Sequence, residues 1–424
     1  MKKNYREIAF SPKFFRTSLR SLGYTYLSSL SELIDGPVDK KASLINISKL
    51  DQEDGLFTLV ISDNGLGMPY DKIEEMISTL GYEGDYDSTD ISTFGGGLKL
   101  AILNLSNFGE TKIESVHKGK KSIMYFNVDD FKVTKPEIID SEDPSGTIIT
   151  IPNCSSSHRQ TAPILKFLGL TYYPAFRKNR EFRIIYDNRE IEFIDPFYRF
   201  LKPEDFNNYI KVNPEKCEMF GTKVSITGYS LDLNMPDHLK LKMDINNNSK
   251  FSKVHSGIYL KVGSRYSQIG ESNFISENYQ TRLNNLRIEV EVEKDIIREF
   301  GVGMNKSLWR PDFNSSDFHH FNNIIKSIVT SHTKIRKESE PKNNLSDSEK
   351  AELDWVKKEV NAKIKNTIGN ILKKPGINIP REKPDLNGNH DKEIPEEKRN
   401  RRSGYKQDRS ILDITFSPDR KSVV

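Results

Sequence analysis

Three carboxylates supply the first candidates for chemistry. In SLSELIDGPVDKKA, residues 29–42, Glu32, Asp35 and Asp39 fall three and four apart, which places them on one face of a helix with Leu30, Leu33 and Ile34 on the other. A carboxylate so placed can take a proton from water or hold a cation, and a solvated acidic face has the same pattern. Gly36-Pro37 reads as the end of that helix. Farther on, the strand-like run LFTLVISD ends at Asp63 and passes into NGLGM. An aspartate there can accept a hydrogen bond from an exocyclic amine, while Gly65 and Gly67, followed by Met68, let backbone pass close to a flat ring; a tight turn or a calcium loop shares the pattern. In STFGGGLKLAILNL, Phe94, Gly95, Gly96 and Gly97 precede a helix that opens at Leu98. Such a start offers backbone N–H groups and the positive end of a helix dipole to an anion, with Lys99 adding a point charge; a hinge between loop and helix is the compatible alternative. PSGTIITI sets Gly146 and Thr147 at a strand start, where the hydroxyl can share a water with Asp63 and its ligand.

These residues need a scaffold. The patterning predicts a helix over 14–36, strands ASLINISKL and LFTLVISD, a helix near 71–80, a helix from 98, and strands near 111–128 and 147–151. The mixed order implies an α/β sandwich over residues 1–154. From 155 to 330, strands EFRIIYD, TKVSITGY, GIYLKVGSRY and LRIEVEV read as a second α/β domain. Within a helical segment at 331–375, a helix over 346–374 is marked by a Ser346/Glu349 capping box and by Leu353, Val356, Val360, Ile364, Ile368 and Ile371, with Pro375 as its stop. Residues 376–424 are polar and basic and are expected to be disordered.

Composition sets outer bounds. A chain of 424 residues suggests two or three domains, and 35% hydrophobic with 29% charged residues fits a soluble protein. No stretch of about 18 apolar residues exists to span a membrane, and the N-terminus lacks a signal-peptide core. Cys154 and Cys217 stand alone, which fits a reducing compartment, cytoplasmic or nuclear, and argues against a cysteine zinc site. The net charge of +4 is uneven: residues 331–424 hold 22 Lys and Arg against 16 Asp and Glu, while residues 1–330 hold 42 against 44. The basic tail could contact DNA or an acidic partner, or be merely solvated.

In this order, the acidic helix Glu32–Asp39, the turn Asp63–Met68, the glycine run Phe94–Lys99 and the Gly146-Thr147 pair resemble the GHKL superfamily of ATPases, which includes gyrase B, MutL, ninety-kilodalton heat-shock chaperones, histidine kinases and MORC proteins. FGGGLK is most similar to the MORC and chaperone lids, and LRIEVEVEKDIIREFGVGMNKSLWRPDF resembles the end of the transducer domain that follows the ATPase module in MORC-like and MutL-like proteins. The resemblance implies a Bergerat-type two-layer sandwich, a mixed sheet with helices on one face, followed by a smaller transducer. It implies ATP and Mg²⁺ as ligands, Glu32 as general base and Lys306 as the lysine that reaches the terminal phosphate. It also implies homodimerisation on ATP binding, with DNA or a protein as client. One position departs from the pattern. Gly36 stands where the family carries a metal-binding asparagine, leaving water, Asp35 or Asp39 to complete the shell and hydrolysis slow. A nucleotide-binding scaffold that does not hydrolyse, or a chaperone-like binder of protein clients, is the alternative expectation.

Overall fold

The chain divides into two compact units, Met1–Lys342 and Asn343–Val424. The computed structural model describes residues 11, 14–15, 17–18, 24–52, 55–81, 91, 95–155, 161–232, 234–236, 238–239, 256–271, 283, 285–303, 306, 309–312 and 314–339. The expected helix over 346–374 and the tail over 376–424 lie outside these residues.

Helix α1, Tyr26–Asp39, starts on a reciprocal cap: the Thr25 hydroxyl accepts the Ser28 N–H while the Ser28 hydroxyl accepts the Thr25 N–H. The expected stop at Gly36-Pro37 is wrong by one turn. Pro37 lies inside the helix, and the end comes where Lys40 and Ala42 donate to the carbonyls of Gly36 and Pro37 and Lys41 turns to φ 60°. Nor is the acidic face solvated, because Glu32 and Asp35 are as buried as Leu30, Leu33 and Ile34.

Among the described residues, nine strands make the first sheet: β1 Leu44–Asp51, β2 Phe57–Asp63, β3 Glu110–His117, β4 Lys120–Asn127, β5 Lys132–Val133, β6 Glu137–Asp140, β7 Gly146–Cys154, β8 Arg183–Tyr186 and β9 Arg189–Glu190. The order is β5-β4-β3-β7-β2-β1-β8-β9, with β6 beside β4; every pairing is antiparallel except β1 with β8. Alternation sends Ile45, Ile47, Leu59, Ile61, Ile113, Met124, Ile149 and Ile151 to one face, where they share a core with α1, α3 (Gly97–Leu105) and α4 (Thr161–Thr171). The short α2, Ile73–Ser78, contributes Ile73 and Ile77 to it. EFRIIYD therefore belongs to the first sheet, and the expected boundary at 154 falls inside that domain.

Helix α5, Tyr173–Lys178, leads into the second domain, which includes α6, Pro203–Tyr209. Its sheet contains β10 Ile210–Met219, β11 Thr222–Leu231, β12 Gly257–Val262, β13 Arg265–Glu271 and β14 Leu286–Val292, in the order β10-β11-β14-β12-β13. GIYLKVGSRY is a hairpin, β12 and β13, rather than one strand. Helix α7, Ser316–Ser339, packs on β10 and β11 through Phe318, Phe321, Ile325 and Ile328, and crosses the expected boundary at 330. Edge strand β13 packs against α4 and α5, which brings its first residue to α1.

Candidate functional site: a cleft between the acidic helix and the glycine turn

At one end of the cleft, β2 delivers Asp63. Its Oδ1 accepts the Gly65 N–H at 2.8 Å, and the Thr147 N–H also donates to it; burial, offset in part by these bonds, pushes the carboxyl up to about 6. A Cβ on Gly65 would stand 2.9 Å from that oxygen and from the Lys40 carbonyl, and Gly67, at φ 70°, lies against the Val116 carbonyl with no room for a side chain. Asn64 ties the turn to the start of β1 by accepting the Ser43 and Leu44 N–H groups. Thr147 pairs with Asp63 across the sheet, and its hydroxyl lies 3.1 Å from that of Ser115. Ser115 also accepts the Met68 N–H at 2.7 Å. Ser115 belongs to no motif in the sequence; its one signal is that Thr111 and Ser115 are polar residues in phase with inward-facing Ile113 on β3, the mark of a buried polar row.

At the other end, Gly96 caps α3 and Gly97 is its first residue; Gly95 is at φ 57°. Gly97 lies directly against Glu32, where a side chain would collide with the carboxylate. Gly95, Gly96, Gly97 and Leu98 line the same cleft as Asp63, Met68 and Thr147. Phe94 lies outside the described residues. Lys99 lines the cleft too, but its ammonium is turned away from any anion there: it donates to the carbonyls of Met76 and Thr79 at 2.7 and 2.6 Å, tying α3 to the end of α2. Burial lowers its pKa to about 8.

The centre of the site is a buried quartet of charges. Lys306 Nζ lies 2.9 Å from both Glu32 Oε2 and Asp35 Oδ2. Arg265 grips both oxygens of Asp35 at 2.9 and 2.8 Å, and the Tyr172 hydroxyl stands 2.7 Å from Asp35 Oδ1 and 2.8 Å from the Ser31 carbonyl. Burial alone would raise Asp35, but Arg265 and Lys306 outweigh it and hold the carboxyl below its usual range. For Glu32 burial wins over Lys306 and the pKa rises. Glu32 Oε1 has no hydrogen-bond partner among the described residues. Burial opposes the Lys306 charge, yet the two carboxylates raise its pKa above an ordinary lysine.

This geometry corrects one expectation: with three donors already on it, Asp35 is not free to hold a metal. Asp39 lines the cleft, and its Oδ1 takes the Ile91 N–H at 2.8 Å. Among the described residues no group of three or more His, Cys, Asp or Glu is arranged around a metal position. A Mg²⁺ here would be held chiefly by phosphate oxygens and water, with Asp39 among the carboxylates that line the cleft.

A carboxylate beside close-approach glycines, a helix N-terminus and a buried acid next to it define a nucleotide-binding α/β sandwich. Residues 24–160 match the family model described as histidine kinase-, DNA gyrase B- and HSP90-like ATPase, and over this span the chain is a GHKL-type ATPase domain. Such domains generally bind ATP with Mg²⁺ and commonly dimerise. No curated protein matches the chain. No helix among the described residues is long and apolar enough to cross a membrane.

Proposed function

We propose that the protein is a slow, nucleotide-gated ATPase of the MORC-like kind, a clamp that pairs two copies on ATP and closes on DNA. The observation that carries the reading is that Asp63, the glycine run Gly95–Gly97, Glu32 and Lys306 line one cleft. Asp63 and the glycine turn receive the adenine amine and ring, and the start of α3 receives the phosphates. Glu32 orients and deprotonates the attacking water. Its Oε2 is covered by Lys306 in this arrangement, so the base becomes available as the lysine moves to the terminal phosphate. Mg²⁺, when bound, supplies charge neutralisation at the phosphates. Lys306 comes from the second domain, so its move links nucleotide state to that domain.

The test is phosphate release by the full chain with ATP and Mg²⁺, compared with Glu32→Ala. Release in the wild type alone supports the ATPase; equal background in both, with ATP still bound, supports the second reading, a non-hydrolysing regulatory or scaffold module. Gly36 is the observation that favours this second reading, since it offers no side-chain oxygen. For the client, log affinity for DNA should fall steeply with log salt, and the slope should flatten on deletion of 375–424. A flat line in the full chain removes DNA as client.

A further inference from the structure

We propose that Asp35 is a holding post for Lys306, and that competition between this post and the terminal phosphate sets the preference of the pocket for ATP over ADP. The inference rests on the nucleotide reading above and goes beyond it by giving a role to Asp35 and Arg265. The contacts form a closed ring. Arg265, the first residue of β13, fixes Asp35 on α1. Ser267, two residues along the same strand, donates its hydroxyl to the Lys306 carbonyl at 2.6 Å, and the Lys306 ammonium returns to Asp35 at 2.9 Å. Lys306 is held in the left-handed region, at φ 51°, with its N–H donated to the Gly303 carbonyl at 2.8 Å. A non-glycine residue takes that conformation at a local cost, and here the Ser267 and Gly303 contacts fix the backbone that carries the ammonium.

The charges say how the seat is tuned. Asp35 holds Lys306 on α1, while Arg265 neutralises Asp35 and weakens that hold. Tyr172 and Arg265 keep Asp35 satisfied after the lysine leaves, so departure strands no buried anion there. Only ATP carries a γ-phosphate to compete for the ammonium; ADP ends one phosphate short of it. The two residues are therefore positioning residues with opposite effects on one ratio, the affinity for a non-hydrolysable ATP analogue over that for ADP.

Calorimetry on the full chain with Mg²⁺ and each nucleotide reads that ratio. Asp35→Asn should raise it about tenfold, the scale of one charge-assisted hydrogen bond, by tightening the ATP analogue more than ADP. Arg265→Met should lower it, and should have no effect once Asp35 is Asn. An unchanged ratio in Asp35→Asn, or equal weakening of both nucleotides, overturns the proposal. A wild type that binds neither nucleotide sinks the nucleotide reading instead. If either single variant fails to fold, the double variant D35N/R265M, which removes one charge of each sign, decides by the same ratio. Hydrogen exchange on the wild type gives a reading that needs no variant: the Lys306 amide should exchange faster with the ATP analogue than with ADP, and equal rates count against the holding post.

Discussion

Replacing Lys306 by Met tests whether the buried quartet is one electrostatic unit. Two anions and two cations balance in it, and the substitution removes the ammonium that lies 2.9 Å from both Glu32 and Asp35. Asp35 keeps Arg265 and Tyr172 and stays ionised. Glu32 loses the partner of Oε2, and Oε1 already has none among the described residues. In the ligand-free protein, a buried carboxylate stripped of its counter-ion takes up a proton rather than remain charged. The folded state then binds one proton more than the unfolded state, and stability falls by about 1.4 kcal/mol per pH unit above the ordinary carboxyl value. That value is 4.5, so pH 7 lies 2.5 units above it and the ceiling on the loss is about 3 kcal/mol, at the lower end of what breaking a buried pair costs. The wild type carries part of the same slope, since burial raises Glu32 there too, which keeps the difference below the ceiling. Urea unfolding of both proteins at pH 5, 6, 7 and 8 should show the gap widening with pH. The double variant E32Q/K306M leaves no orphan charge and should unfold within about 1 kcal/mol of wild type at every pH. A gap that does not change with pH, or a double variant as weak as the single one, would refute the reasoning.

Three further outcomes follow from the same geometry. A Cβ at Gly36 meets nothing within 4 Å, so Gly36→Asn fits α1, gains a few tenths of a kcal/mol in helix propensity and offers an oxygen to the cleft. Phosphate release at limiting Mg²⁺ should rise roughly tenfold, and a stabilised variant with an unchanged Mg²⁺ requirement removes this position from the metal question. Asp63, raised to about 6, contributes stability that is present below 3.8 and lost as pH rises through 6, while its grip on an amine needs the ionised form. Ligand-free stability and ATP affinity should accordingly move in opposite directions between pH 4 and 7; affinity that does not change with pH, or an Asp63→Asn variant that binds as well as wild type, contradicts the adenine assignment. The Tyr24 hydroxyl is buried without a partner among the described residues, so Tyr24→Phe should raise stability by about 1 kcal/mol; a loss of similar size would mean that an ordered water holds that hydroxyl.

The sequence could be read where the chemistry is local. Asp63 and its two glycines alternate along residues 63–67, and their spacing carries the turn because positive φ and close backbone approach are demanded within five residues. The glycine run before α3 is equally local. Reading failed where a residue's partner is far along the chain. Lys99 looked like a phosphate ligand from its place in the first turn, but its side chain is claimed by the end of a helix 20 residues back. EFRIIYD has no marker for which sheet it joins, and its parallel pairing with β1 depends on how α4 and α5 return the chain across the core. Gly36-Pro37 did not end α1, because the buried hydrophobic face and the capping carbonyls hold one further turn together despite the missing N–H. The quartet is the extreme case: Arg265 meets Asp35 across 230 residues and Lys306 meets Glu32 across 274. On its own helix Asp35 is an acid on a polar face, fit to hold a metal; only the arrival of β13 turns it into the counter-ion of two cations. Asp35 and Glu32 are one helical turn apart, and what separates a spent carboxylate from an available one is the second domain, which reaches both through a single lysine.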